Sequence, residues 1–171
     1  MSGRAKSFFA QTMDTPSFEP KPPTAALPAV FKQRARRMTN HEAACSCGQL
    51  RLICQGDPVR VSMCHCLECQ RRTGSTFGVQ AWFTREQVRL VRGVDKRYAR
   101  QADSGRVVTF HFCPECGSTV FWEAEQRPDL IAVAVGMFAD PDFESPRHSV
   151  WERRQHPWTI VVDNQQIEHS D

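Results

Sequence analysis

The sequence has no run approaching the roughly 18 to 20 consecutive apolar residues that cross a bilayer, which excludes a transmembrane helix. It also lacks collagen and coiled-coil patterns. A secretory signal is not recognisable, because the one early apolar patch, residues 24–31, is broken by Pro28 and precedes a basic cluster instead of following one. We therefore expect a soluble protein without a membrane partner, and the cytoplasm is the expected location.

What the sequence does contain fits one folded domain behind an extension. Residues 1–37 hold five of the 11 prolines, carry a net charge of +5 and show no sustained hydrophobic period, so we predict a disordered or loosely packed basic segment. Residues 38–171, with a net charge of −2, are predicted to form the single domain, and Met38 is a conceivable alternative translation start. This acidic balance argues against nucleic acid as a partner, and the oligomeric state is left open.

All eight cysteines lie beyond the extension, at Cys45, Cys47, Cys54, Cys64, Cys66, Cys69, Cys113 and Cys116. Because thiols stay reduced in the cytoplasm, their CxC and CxxC spacings favour metal binding over disulfides. The first and last pairs are followed directly by Gly48 and Gly117, which supply the positive φ that a turn around thiolates commonly needs. A disulfide-bonded structural domain is the less favoured alternative.

Ligand counting divides the cysteines into two sites. Cys45, Cys47, Cys113 and Cys116 supply the four ligands of a closed structural zinc site. Cys64, Cys66 and Cys69 would then hold a second zinc with one position open, which is typical of a catalytic site. Spacing leaves two alternatives: the first pair could join the middle group, or Cys54 could complete a second four-cysteine site. We predict instead that Cys54 is a buried free thiol and that His65 packs behind the ligands.

The rest of the sequence predicts an all-β domain with little helix. Short runs rich in β-branched and aromatic residues alternate with Gly, Pro and Asp. They predict strands at residues 49–55, 59–63, 78–83, 87–92, 106–112, 119–125, 130–135, 149–153 and 158–162. The second knuckle, 113–117, should therefore cap a β-hairpin. The four tryptophans are expected to serve mainly in packing rather than in contacts with substrate.

Together, the CxCG, CHCxxC and CPxCG motifs resemble the glutathione-dependent formaldehyde-activating (GFA) family, which is related to the centromere protein V domain. Residues 134–141, with a GxxxDP turn, and residues 146–158 resemble its later segments, so the resemblance covers about residues 43–162. It implies an Mss4-like, or β-tent, fold and the same division of cysteines into a structural and a catalytic zinc site. It also implies a carbon–sulfur lyase activity that forms S-(hydroxymethyl)glutathione from glutathione and formaldehyde.

The chemistry of three thiolates agrees with this activity. They would leave a zinc site with net negative charge, which is poorly suited to activating water but able to hold an exogenous thiol as a nucleophile. Just after Cys69, Arg71 and Arg72 could offset that charge or bind a glutathione carboxylate. Glu68 is expected to face solvent. The rival hypothesis is a non-catalytic zinc-stabilised β module that binds a protein or a nucleic acid.

Overall fold

The computed structural model describes residues 39–159 and 167–171. Within these residues lie eleven strands and one α-helix, in the following order: β1 (Asn40–Ala44), β2 (Arg51–Gln55), β3 (Arg60–Cys64), α1 (Leu67–Thr73), β4 (Gly78–Thr84), β5 (Val88–Arg92), β6 (Lys96–Gln101), β7 (Val107–Phe112), β8 (Thr119–Ala124), β9 (Leu130–Ala134), β10 (His148–Val150) and β11 (Glu168–Ser170). Short 3₁₀ helices follow β4, β9 and β10 at Arg85–Gln87, Val135–Phe138 and Glu152–Arg154. The prediction of a mainly β domain is confirmed.

The strands form two sheets. The smaller is antiparallel, with the order β1-β2-β5. The larger has eight strands in the order β11-β10-β3-β4-β9-β8-β7-β6, in which β10 runs parallel to both of its neighbours and the other pairs are antiparallel. As expected, β7 and β8 form a hairpin closed by the second cysteine knuckle.

The main core lies on one face of the larger sheet and draws residues from both sheets. Leu52 of β2 belongs to the same buried cluster as Phe83 of β4 and Val133 of β9, and all three are almost completely buried. Because successive side chains of a strand point to opposite faces, the neighbouring residues Trp82 and Ala132 lie on the other face. They form a second buried cluster with Trp122, and this outer face carries the candidate site.

Several elements differ from the sequence-based predictions. Strands β1, β6 and β11 and helix α1 were not predicted. The strand expected over 149–153 ends at Val150, because Trp151 takes a left-handed backbone (φ 63°) that begins a 3₁₀ helix. Most of the strand expected over 158–162, together with the 1–37 extension and Met38, lies outside the described residues, and residues 158 and 159 are not in a strand.

The described residues contain no helix that combines the length and apolar character needed to span a bilayer.

Gly93, between β5 and β6, is required by a close backbone contact. Its φ is +89°, and a Cβ placed there would lie 2.1 Å from the carbonyl oxygen of Gln49, which follows the turn at residues 45–48. Gly105, with φ +81°, has no heavy atom within 4 Å of such a Cβ. Substitution of Gly105 therefore tests backbone strain alone, whereas substitution of Gly93 tests backbone strain together with steric overlap.

We expect Gly105→Ala to lower the free energy of unfolding by about 1 kcal/mol through its left-handed backbone alone. Gly93→Ala should lower it by about 3 kcal/mol or more, because the added methyl group also displaces the Gln49 backbone. Urea denaturation of both variants measures the difference. Equal losses in the two variants would contradict the close contact.

Candidate metal centres and the adjoining cavity

Two turns at one end of the sheets bring four cysteine sulfurs together. The Sγ atoms of Cys45, Cys47, Cys113 and Cys116 all lie within 4.8 Å of one another. Cys47 Sγ is 3.5 Å from Cys45 Sγ and 3.6 Å from Cys113 Sγ. Sulfurs placed tetrahedrally around one ion, about 2.3 Å from it, would be about 3.8 Å apart. The four-thiol cluster therefore has the spacing and donor set that a single metal ion requires.

The backbone of each turn is arranged around its sulfurs. The Leu50 N–H donates to Cys45 Sγ over 3.2 Å, and the Gly48 N–H donates to the Cys45 carbonyl over 2.8 Å. Gly48 and Gly117 both have φ 73°, which confirms the positive φ predicted for the residue after each pair. Since the first turn joins β1 to β2 and the second joins β7 to β8, the four-thiol cluster connects the two sheets.

A second cluster lies where β3 runs into α1. Cys64 ends β3, Cys66 is the N-cap of α1 and Cys69 is in its first turn, and the three Sγ atoms lie within 4.8 Å of one another. Within the described ranges, no histidine or carboxylate completes this group. The structure thus brings the cysteines together as four and three, which is the division predicted from the sequence.

The proximity of the three thiols opposes their joint ionisation. Hydrogen bonds from Cys64 and then Cys69 lower the pKa of Cys66 to about 2. The same contacts, with Cys66 and then Cys69, raise the pKa of the buried Cys64 thiol well above its usual range. One thiolate thus forms readily at the expense of its neighbours, and a bound cation would be needed to stabilise all three.

The two remaining groups near the cysteines lie where packing residues were expected. Cys54 is fully buried in the main core, and burial raises the pKa of its thiol to about 12, so it stays protonated. His65 is also fully buried, with Nε2 placed 3.2 Å from Ser149 Oγ and its ring near Phe77. Neither residue belongs to a sulfur cluster.

The three-thiol cluster opens into a cavity of about 440 Å³ on the outer face of the larger sheet. Its lining combines aromatic surface with positive charge. Trp82, Trp122 and Trp151 contribute the indole rings, while the guanidinium groups come from Arg60, Arg72, Arg100 and Arg127. Trp82 and Trp122 thus serve both in packing and in lining the cavity, whereas Trp158 is exposed.

The two arginines predicted to contact glutathione point in different directions. Arg72 lines the cavity, and its guanidinium carbon lies 4.3 Å from the centre of the Trp122 ring. Arg71 is exposed, forms an ion pair with Glu68 and does not line this cavity. Glu68 also lies 3.7 Å from Arg100. Of the predicted pair, only Arg72 is therefore placed to contact a ligand there.

Gly78 makes room for the Arg72 side chain. A Cβ at Gly78 would lie 2.8 Å from Arg72 Nη2, but no positive φ restricts the backbone there. Gly136 has neither a positive φ nor a heavy atom within 4 Å of an added Cβ. A methyl group at Gly78 should therefore move the guanidinium at little cost to the fold.

The side chain of Gln70 fixes α1 against the later part of the chain. Its Nε2 donates to the carbonyl oxygens of His65 and Arg154 over 2.8 and 3.0 Å. Its Oε1 lies 3.0 Å from His156 Nε2. One amide thus joins the cysteine loop to the segment around residues 151–156, which borders the cavity through Trp151.

Sequence reasoning did not find the cavity residues that come from β3, β4 and the turn after β8. Arg60, Gln80 and Arg127 line the cavity but belong to no motif. The signal that was available is the alternation Arg60-x-Ser62-x-Cys64, which places an arginine on the same strand face as a cysteine ligand candidate.

Comparison with known proteins assigns the family. The family profile described as "Glutathione-dependent formaldehyde-activating enzyme" matches residues 40–154. A Fusarium vanettenii protein named "Putative glutathione-dependent formaldehyde-activating enzyme" is 29% identical over 99 residues, or 53% of this chain and 52% of that protein. The chain thus matches about half the length of this curated relative.

A crystal structure of a Rhodobacter sphaeroides protein is similar with a TM-score of 0.46 and 21% identity, over 62% of this chain and 92% of that one. That degree of similarity supports no further conclusion. The family match, which covers well over half of the residues, is sufficient: the chain belongs to the family of glutathione-dependent formaldehyde-activating enzymes.

We expect Gly78→Ala to change the tryptophan emission spectrum, because it displaces Arg72 from Trp122. Arg72→Ala should produce a similar change, and the double variant should add little to either, since one contact is lost in all three. The free energy of unfolding should change by less than about 1 kcal/mol in Gly78→Ala. Gly136→Ala is the matched control and should leave the emission spectrum unaltered. Additive spectral changes would contradict the contact.

Proposed function

We propose that this protein is a zinc-dependent carbon–sulfur lyase that adds glutathione, or a similar thiol, to formaldehyde or another small aldehyde. The observation that carries the proposal is the opening of the three-thiol cluster into an arginine-lined cavity, in a chain of the formaldehyde-activating family. A thiol substrate could thus reach the cysteines while its charged groups meet arginine side chains.

The donor sets favour two zinc ions with different roles. Cys45, Cys47, Cys113 and Cys116 would hold a structural zinc with a complete set of ligands. Cys64, Cys66 and Cys69 would hold the catalytic zinc, which has one protein ligand fewer and should be the more easily removed. When bound at the three thiolates, zinc supplies stabilisation of a substrate thiolate near neutral pH.

The side chains around the cavity would orient the reactants. Arg72, which contacts the face of the Trp122 ring, would place a cation near the three sulfurs and offset their negative charge. Trp122, the ring that Arg72 contacts, would present apolar surface near the three sulfurs and reduce the water around the nucleophile, while Trp82 lines the more distant part of the cavity. Arg72 is thus assigned to binding and charge compensation, and the tryptophans to shaping the cavity.

The balance of the reaction is simple. A bond forms between the thiol sulfur and the aldehyde carbon, and the π bond of the carbonyl breaks. The thiol proton is lost when the thiolate forms, and the oxygen of the adduct gains a proton, so no oxidant or reductant is needed. The protein's contribution is to present the thiolate and the aldehyde at short distance in a favourable orientation.

We expect the wild-type protein to hold two zinc ions per chain and to accelerate the exchange between formaldehyde and glutathione. Cys66→Ser should retain one zinc ion and lose the acceleration, because a neutral serine hydroxyl is a poor replacement for a thiolate ligand. Elemental analysis gives the metal count, and isotope-edited exchange NMR gives the rate relative to the protein-free mixture.

Cys54→Ala is the matched control for loss of a thiol, since Cys54 lies in the core and not in either cluster. This variant should retain both zinc ions and the wild-type exchange rate. Full activity in Cys66→Ser, or an exchange rate in the wild type equal to that of the protein-free mixture, would contradict the proposed function.

A further inference from the structure

The floor of the cavity is a ladder of paired residues that leads away from the cysteines. On β3, Arg60, Ser62 and Cys64 share the face that lines the cavity. On β4 their partners are Trp82, Gln80 and Gly78, respectively. Arg60 and Cys64 are four positions apart along β3, which corresponds to about 13 Å at roughly 3.3 Å per residue. Arg60 therefore marks the end of the cavity remote from the three-thiol cluster.

Two guanidinium groups line this remote end. Arg60 is half-buried, and its Nε is buried with no hydrogen-bond partner. Arg127 stacks on Trp82, the strand partner of Arg60, with 5.0 Å between the guanidinium carbon and the ring centre. Burial, and after it the charge of Arg127, lowers the pKa of Arg60. The two cations are therefore close enough to repel each other.

Neither cation forms an ion pair with a carboxylate among the described residues. Glu168 influences Arg60 electrostatically, but it is largely exposed and pairs with His148 over 2.9 Å. Asp171 borders the cavity, and one oxygen of its side chain accepts the Arg153 N–H over 2.7 Å. An anionic ligand would relieve the repulsion between the arginines and complete their hydrogen bonding.

A polar side chain lies midway along the ladder. Gln80 is 94% buried, and its Nε2 donates to Ser62 Oγ over 2.9 Å while Oε1 has no partner. Either orientation of the amide leaves one polar atom without a partner. A buried polar group without a hydrogen bond is costly, so a ligand passing over Gln80 should carry a group such as a peptide amide.

The geometry points to a carboxylate-binding site formed by Arg60 and Arg127, with Gln80 contacting an amide between that carboxylate and the thiol. These three side chains would then select a thiol that carries a carboxylate and an amide over neutral or basic thiols. This assignment rests on the proposed function only in placing the thiol end of the substrate at the three-thiol cluster.

The first test measures binding without any thiol chemistry. S-methylglutathione keeps both carboxylates and both amides of glutathione but has no thiol to ionise. We expect it to quench the emission of the cavity tryptophans, and we expect its dimethyl ester to bind about tenfold or more weakly, because charge-assisted hydrogen bonds are lost. Equal affinity for acid and ester, or no binding of the acid at millimolar concentration, would overturn the inference.

The second test assigns the selectivity to residues. Arg60→Gln and Arg127→Gln should each weaken the binding of S-methylglutathione about tenfold and leave the binding of its ester nearly unchanged. Gln80→Met should weaken both ligands by a similar factor, since it removes the amide contact and not the charge. Arg89→Gln, on the exposed part of β5, is the charge-matched control and should have no effect.

Two outcomes separate this inference from the proposed function. Selective, arginine-dependent binding of S-methylglutathione without any acceleration of formaldehyde exchange would support the carboxylate site and contradict the enzymatic proposal. Acceleration of the exchange with equal kcat/KM for glutathione and its dimethyl ester would support the enzymatic proposal and contradict the carboxylate site. If far-UV circular dichroism shows that Arg60→Gln does not fold, Arg127→Gln decides the assignment, because Arg127 lies in the connection between β8 and β9 and not in a strand of the sheet.

Discussion

The strict alternation of side chains along β3 and β4 is the constraint on which the site depends. Val61, Ala81 and Phe83 point into the core shared by the two sheets, so their neighbours in sequence must face outward. Cys64 is therefore placed on the outer face in the same register that buries Val61. A shift of one residue between β3 and β4 would expose the core and remove a metal ligand candidate at once, so the fold and the site specify each other.

Helix α1 depends on this sheet because it has little packing of its own. It has seven residues, none of them buried, and its ends are defined by Cys66 as N-cap and by Gly74 in a left-handed conformation. A helix this short is not stable in isolation. Its position is maintained by the Gln70 amide and by the stacking of Arg72 on Trp122. The same contacts that stabilise the helix thus determine where Cys66 and Cys69 lie.

The sequence was most informative where the chemistry is local. CxC and CxxC spacings restrict the chain to tight turns, so the cysteine groups and the positive φ of Gly48 and Gly117 could be predicted. Strand β6 was missed because five of its six residues are exposed and its charged sequence carries no apolar alternation. Arg71 and Arg72 could not be distinguished, because consecutive helical residues diverge by about 100° and packing decides which one faces inward. The place of Arg127 in the cavity could not be predicted, because it depends on contact with Trp82, which is 45 positions away in sequence.

The positive charge of β6, the outermost described strand of the larger sheet, has a consequence for self-association. An outermost strand offers unpaired backbone groups to any other β-strand that approaches. Strand β6 carries Lys96, Arg97 and Arg100, and β5 at the edge of the other sheet carries Arg89 and Arg92. Among the described strands, a second molecule that aligned either edge against its own would bring these cations close together, which disfavours the growth of continuous intermolecular sheets.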